Sequence, residues 1–180
     1  MSMLGMSLLN QLVNGKQITD PALLLDHLHT AVVGALNQTV NDSNEGMDIV
    51  MCCYDEQTNT IHYAGANRPL WLLRKGEILS WQADKMPIGG IQIQSRPPFT
   101  SHSINLQQGD RVYMFTDGYA DQFGGDFGKK LMTKNLKDKL ISTAGADMKE
   151  QGQILHDYFH QWKGNQEQVD DVLMMGLEIG

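Results

Sequence analysis

Residues 113–125 of the chain read YMFTDGYADQFGG, a stretch in which an apolar run ends abruptly on Asp117 and Gly118. Such a run is typical of a β-strand, and Asp-Gly is one of the commonest signals for the turn that follows a strand. Taken alone, Asp117 is therefore more typical of a turn than of a metal ligand. A carboxylate at the end of a strand is nevertheless held rigidly and can reach solvent, which is the placement that a hard-cation site needs.

A second apolar run, VLMMGLEI at 172–179, directly follows Asp170 and Asp171. If the two runs are neighbouring strands, Asp117 and Asp170 converge on one edge of a sheet although they are far apart in the sequence, and Gly118 leaves the aspartate uncrowded. Two interpretations stay open at this point, turn chemistry or a carboxylate metal site. A carboxylate pair without a serine–histidine pairing or a glycine-rich phosphate loop does not identify a particular type of reaction.

Helical patterns lie on both sides of the middle of the chain, before the final apolar run. Residues 2–13 carry apolar side chains at helical intervals, and a second helix follows Asp20 as its N-cap and Pro21 in its first turn. Two further helices are predicted at 127–142 and 147–163.

The middle of the chain is rich in β-forming residues. It predicts three strand pairs: 47–56 with 60–66, then 70–74 with 77–81 around Lys75-Gly76, then 99–106 with 111–116 around the turn QQGD. Helices segregated from antiparallel strands define an α+β fold.

The composition narrows the class of protein. A length of 180 residues is most simply one domain, and a net charge of −7 without a clustered basic patch argues against a nucleic-acid partner. The only cysteines, Cys52 and Cys53, are adjacent in a predicted strand and point to opposite faces, so we expect buried, reduced thiols and a cytoplasmic protein. No apolar stretch of the sequence is long enough to form a membrane-spanning helix.

Other candidate residues carry weaker signals. His156 and His160 have a zinc-capable spacing on a predicted helix, but no third ligand accompanies them, so a surface or half-buried helical face is the simpler interpretation. His27 and His29 do not share a helical face. Arg68, in GANRPL, could meet a phosphate, although an arginine in a loop is usually just exposed.

Taken together, the motifs resemble the bacterial PP2C-type serine/threonine phosphatases of the SpoIIE/RsbU class over essentially the whole chain. The order and spacing of five stretches carry the resemblance: GMDIVMCCYD, IHYAGANRPLWLLRKGE, MPIGG, VYMFTDGYADQFGG and DDVLMMGLEI. The resemblance implies a four-layer α-β-β-α sandwich of antiparallel sheets and hydrolysis of phosphoserine or phosphothreonine in a partner protein. It also implies two Mn²⁺ or Mg²⁺ ions.

By this resemblance, Asp117 and Asp170 match metal-binding aspartates of the family, with Asp171 beside the second, and they are the predicted catalytic residues. Asp121 is expected to be a loop carboxylate. Leu173 departs from the family, which commonly has threonine there.

The family also carries an early metal aspartate and an Asp-x-x-Gly-His-Gly segment, neither of which this sequence contains. We therefore expect residues 1–180 to be one phosphatase domain that lacks its N-terminal strands, with weak or no activity of its own.

The resemblance and these departures predict a metal-dependent phosphatase that acts on a bacterial signalling partner, such as an anti-sigma-antagonist-like regulator. The alternative is a non-catalytic, phosphatase-like module that binds a partner or dimerises. Exposed sheet edges can pair with a second copy of the chain, so we also expect that a homodimer can form.

Overall fold

The computed structural model describes residues 2–40, 44–90 and 96–180. The chain divides into two compact units, Met1–Leu70 with Trp81–Leu106 and Trp71–Ser80 with Gln107–Gly180. We refer to them as the first and second units and describe each by itself. None of the described helices is long and apolar enough to span a membrane.

The first unit packs helices on an antiparallel sheet. Its sheet has the strand order β2-β3-β7, and a separate two-stranded ladder joins β1 to β6. The helices are α1 (Ser2–Asn10), which continues as a π-helical segment (Gln11–Gly15), and α2 (Pro21–Ala35). The strands are β1 (Gly46–Met47), β2 (Ile49–Asp55), β3 (Thr60–Ala66), β6 (Ile88–Gly89) and β7 (His102–Asn105).

The sequence explains how α2 forms and why it lies on this sheet. The carboxylate of Asp20 accepts a hydrogen bond from the Leu23 amide at 2.7 Å, which caps the helix as predicted, and Pro21 occupies its first turn. Leu25 and Leu28 of α2 are fully buried in one core cluster with Ala64 of β3. Burial of this apolar stripe fixes the helix on the sheet.

The two cysteines lie on opposite faces of β2, as the alternation of a strand requires. Cys52 is opposite Tyr63 and Cys53 is opposite His62 on β3. Both thiols are free and half-buried rather than fully buried. Burial raises the pKa of the Cys52 thiol to about 12, with a smaller contribution from Cys53.

The second unit is also a sheet covered by helices. Its sheet has the order β11-β8-β4-β5, and a short ladder joins β9 to β10. Trp71 and Phe115 pack with ring centroids 4.1 Å apart in a core that also buries Leu136, Leu155 and Phe159. The strands are β4 (Leu70–Arg74), β5 (Glu77–Trp81), β8 (Arg111–Phe115), β9 (Phe123–Gly124), β10 (Lys129–Lys130) and β11 (Met174–Glu178). The helices are α3 (Gly118–Asp121), α4 (Thr133–Ser142) and α5 (Met148–Lys163).

Two of the three predicted strand pairs are confirmed. Strands β2 and β3 pair in antiparallel register from Ile49↔Ala66 to Asp55↔Thr60. Strands β4 and β5 are neighbours, and the two turn residues Lys75 and Gly76 both have positive φ, 50° and 82°, as a two-residue hairpin turn of this kind requires.

The third predicted pair is wrong, because β7 and β8 belong to different sheets. Strand β7 pairs with β3, whereas β8 pairs with β4 on one side and β11 on the other. The turn between them bonds to the end of β11 instead of closing a hairpin: the Gly109 amide donates to the Ile179 carbonyl at 2.8 Å, and the Ile179 amide donates to the Asp110 carbonyl at 2.9 Å.

The helix predicted at 127–142 begins six residues later, at Thr133. Gly128 and Met132 have positive φ, 57° and 72°, which a right-handed helix cannot accommodate. Lys129 and Lys130 instead pair with Gly124 and Phe123 as β10 and β9.

Asp110 anchors the turn that precedes β8. Its side chain is almost fully buried and forms a bidentate pair with the Arg74 guanidinium, with Nε to Oδ1 at 2.9 Å. The Gln107 amide donates to Oδ2 of the same carboxylate at 2.7 Å. Burial opposes ionisation of Asp110, but the hydrogen bonds from Arg74 and Gln107 and the guanidinium charge outweigh it and lower the pKa of this carboxyl.

Candidate active site

Asp117 and Asp170 belong to segments that meet at one end of the second unit's sheet. Strands β8 and β11 are antiparallel neighbours, with Phe115 opposite Met174. Asp117 therefore follows the end of β8 where Asp170 and Asp171 approach the start of β11. The condition under which the two aspartates converge on one sheet edge, that the two strands are neighbours, is met.

Thr116 joins the two segments beyond the last ladder pair. Its amide donates to the Leu173 carbonyl at 3.0 Å, and its Oγ1 donates to the Asp171 carbonyl at 2.7 Å. The Leu173 amide in turn donates to Thr116 Oγ1 at 2.9 Å. One hydroxyl thus acts as donor and acceptor, and it fixes the backbone beside Asp117 against the backbone that carries Asp170.

Gly118 is required by close backbone packing rather than by its torsion angles. A Cβ atom added at this position would lie 2.5 Å from the Asp171 carbonyl oxygen and 3.3 Å from the Asp170 carbonyl carbon. The sequence suggested that this glycine leaves Asp117 uncrowded, and the structure shows that it also admits the second acidic segment.

We expect Gly118→Ala to separate the two acidic segments. A contact of 2.5 Å between Cβ and a backbone oxygen cannot be relieved by a side-chain rotation, so the 170–171 backbone has to move away, at a cost of about 1–3 kcal/mol in unfolding free energy. Urea unfolding of the variant measures this cost.

Gly152→Ala is the matched control, because a Cβ at Gly152 meets nothing within 4 Å. This exposed helical position should become slightly more stable, since alanine favours a helix over glycine by about 1 kcal/mol. Equal stability of Gly118→Ala and the unsubstituted protein would contradict the packing argument.

The segment after Asp117 is anchored to α5. Tyr119 is buried in α3, its hydroxyl donates to the Leu155 carbonyl at 2.6 Å, and its ring lies 5.2 Å from that of Phe159. Burial raises the pKa of this phenol, so it remains a neutral donor. Asp117 thus lies between β8 and α3, and the hydrogen bond of Tyr119 fixes α3 to α5.

The acidic residues differ in exposure. Asp117 is half-buried, whereas Asp170 and Asp171 are exposed to solvent. The Asp170 carboxylate accepts a hydrogen bond from the Asp171 amide at 2.7 Å. Asp121, the last residue of α3, pairs with Lys130 at 3.0 Å on the surface.

Carboxylate oxygens are the donors that Mg²⁺ and Mn²⁺ prefer, so the chemistry of Asp117 and Asp170 suits these ions. Within residues 2–40, 44–90 and 96–180, no group of three or more histidine, cysteine, aspartate or glutamate side chains is arranged to hold a metal. The donor type therefore fits a divalent cation, and the two aspartates would be part of its coordination shell.

One ion pair in the first unit, between Arg68 and Asp48, was not predicted from the sequence. Arg68 is half-buried and pairs with Asp48 at 2.7 Å, and the side-chain amide of Asn67 donates to the same carboxylate at 2.9 Å. The expectation of a simply exposed Arg68 is wrong. Asp48 lies in the stretch GMD and Arg68 in the stretch GANR, which are separate in the sequence. Only the register of β2 on β3 brings them together.

Comparisons with known proteins identify the family and the fold. The family model described as stage II sporulation protein E (SpoIIE) matches residues 1–180. No curated protein sequence matches the chain.

Among solved structures, the SiaA PP2C domain of Pseudomonas aeruginosa superposes with a TM-score of 0.87 at 22% identity, covering 99% of this chain and 68% of that one. The SpoIIE phosphatase domain from Bacillus subtilis gives a TM-score of 0.57 at 14% identity, covering 97% and 73%.

The catalytic domain of the serine/threonine phosphatase PstP, solved in complex with two manganese ions, gives a TM-score of 0.63 at 15% identity, covering 97% and 78%. These likenesses confirm that the fold is the α+β fold of PP2C phosphatase domains.

Proposed function

The chain belongs to the SpoIIE family, and from that premise we propose that it is a metal-dependent protein serine/threonine phosphatase. The observation that carries the proposal is the convergence of the segments of Asp117 and Asp170 at one sheet end through Thr116. The PstP domain, which shares the fold, binds two manganese ions.

In this proposal Asp117 and Asp170 hold divalent cations, Mn²⁺ or Mg²⁺. Such ions supply an activated water and offset the charge that develops on a phosphoryl group during transfer. Asp117 contributes a fixed carboxylate. The hydrogen bonds of Thr116 to Asp171 and Leu173, which we call the Thr116 clamp, hold the residue before it, and Tyr119 anchors the residues that follow. Asp170 contributes a more exposed carboxylate, which is oriented by the Asp171 amide.

The substrate in this proposal is a phosphoserine or phosphothreonine in a signalling protein, such as an anti-sigma-antagonist-like regulator. The test is phosphate release from a phosphoserine peptide by the protein, with and without Mn²⁺. We expect release that depends on Mn²⁺ and stops when EDTA is added. Absence of release under conditions where Mn²⁺ binds would contradict the proposal.

The absence of a third suitably placed ligand among the described residues favours a second candidate, a non-catalytic module that binds a partner or dimerises. We propose that residues 1–180 assayed alone turn over substrate weakly for the same reason. The phosphate-release assay separates the two candidates: Mn²⁺-dependent release supports the enzyme, and partner binding without release supports the binding module.

A further inference from the structure

His156 and His160 form a pair of imidazoles that the phosphatase proposal does not use. They lie on successive turns of α5, and both are exposed. Their ring centroids are 4.4 Å apart, with the ring planes tilted by 60°. Residues four apart share one helical face, so the backbone holds the two rings side by side without any loop rearrangement.

The separation of the rings matches that of two imidazoles bound to one metal ion. A metal–nitrogen bond of about 2.0–2.1 Å places each ring centre roughly 3.2 Å from the metal, so two rings in adjacent, right-angled positions have centres about 4.5 Å apart. The observed 4.4 Å agrees with this value. Right-angled nitrogen ligands suit Ni²⁺ and Cu²⁺, whose preferred geometries contain such angles.

We propose that His156 and His160 form a two-histidine site for a nitrogen-preferring transition-metal dication, with water completing the coordination. Ni²⁺ and Cu²⁺ are the ions that it binds best. Imidazole selects ions of this group, whereas the carboxylates at the sheet end select hard cations such as Mg²⁺. The two sites therefore differ in donor chemistry, and Mg²⁺, which prefers oxygen donors, should not occupy the histidine pair.

The charges around the pair are compatible with a bound dication. Asp157 lies three residues before His160 on α5, a spacing that brings two side chains near each other, and its carboxylate accepts a hydrogen bond from Gln153 at 2.9 Å. The nearby cation, Lys163, donates to the Gln166 carbonyl at 3.0 Å, which directs its ammonium group toward the C-terminal end of α5.

The site would stabilise the helix that holds α3. A cation bound to both histidines requires the helical conformation of residues 156–160, so binding favours the folded α5 by mass action. Leu155, which accepts the hydrogen bond from Tyr119, directly precedes His156. Stabilisation of α5 thus extends to the contact that anchors the residues following Asp117.

The test is isothermal titration of the tag-free protein with Ni²⁺, a probe that does not oxidise the free thiols. We expect a Ni²⁺ site whose affinity falls at least tenfold in His156→Asn or His160→Asn. His27→Asn is the matched control, because His27 is also exposed on a helix but has no histidine partner on its face. It should bind Ni²⁺ like the unsubstituted protein.

Thermal unfolding provides a second measurement. Ni²⁺ should raise the midpoint of the unsubstituted protein and of His27→Asn, and should leave the midpoints of His156→Asn and His160→Asn unchanged. The proposal is overturned if the α5 variants bind Ni²⁺ as tightly as the unsubstituted protein, since the two histidines would then be only a solvated face. A loss in His27→Asn as large as in the α5 variants would overturn it as well.

Discussion

Replacement of Asp117 by asparagine is expected to reduce Mn²⁺-dependent phosphate release by a hundredfold or more. Asparagine keeps the size of the side chain and one oxygen donor but removes the negative charge that a hard cation requires. The backbone around residue 117 is fixed by the hydrogen bonds of Thr116 and by the packing of Gly118, so the substituted side chain keeps the position of Asp117. Changes to residues that merely support a metal site already cost about 10–100-fold, and the loss of a direct ligand should cost at least as much.

Asp121→Asn is the matched control for this experiment. It makes the same chemical change four residues later, at an exposed carboxylate that pairs with Lys130 on the surface. We expect its activity to stay within about twofold of that of the unsubstituted protein, because a surface ion pair contributes little to stability. Mn²⁺ titration calorimetry on both variants separates lost binding from lost turnover, and the weaker binding should appear only in Asp117→Asn. Full activity in Asp117→Asn would show that this aspartate does not hold the metal.

The second large effect is expected on stability, at Asp110. Asp110→Asn removes the charge that is paired with the Arg74 guanidinium in a buried setting and leaves that guanidinium without its bidentate acceptor. Removal of one partner of such a pair costs about 3 kcal/mol in unfolding free energy. Urea unfolding at pH 7 measures this loss, and Asp121→Asn, which breaks an exposed pair, should change the free energy by less than about 1 kcal/mol.

The pH dependence gives an independent check on Asp110. The pKa of its carboxyl is lower in the folded protein than in the unfolded chain, where the pKa of an aspartate is about 3.9. Its contribution to stability is therefore complete above about pH 4 and disappears as the pH falls through the folded pKa. The unfolding free energy of the unsubstituted protein should fall more steeply below about pH 4 than that of Asp110→Asn. Parallel curves would contradict the assigned role of the Arg74 pair.

The sequence predicted well the features that depend on neighbouring residues. The Asp20 cap, the β2–β3 hairpin and the Lys75-Gly76 turn each need only a short segment, because a cap or a two-residue turn is fixed by the residues that form it. The β8–β11 pairing is not local. The two apolar runs that each adjoin an acidic residue were recognisable as strands, but the sequence left open whether they are neighbours, and the structure shows that they pair.

The wrong predictions arose where distant segments compete with local signals. QQGD is a good hairpin turn, but β4 and β11 occupy both edges of β8, and the turn bonds to Ile179 instead. The Arg68–Asp48 pair depends on strand register, and Thr116 acts through its hydroxyl on residues far along the chain. None of these features leaves a pattern in a single stretch of sequence.

The Thr116 clamp also has a consequence for the order of events during synthesis. Its acceptors, the carbonyls of Asp171 and Leu173, follow α4 and α5 in the chain, so Asp117 leaves the ribosome well before the segment that it must meet. At about 5–20 residues per second, translation separates the two segments by an interval on the order of seconds. The nascent protein therefore carries Asp117 without its partner segment until α5 has emerged, and the two acidic segments cannot meet before then.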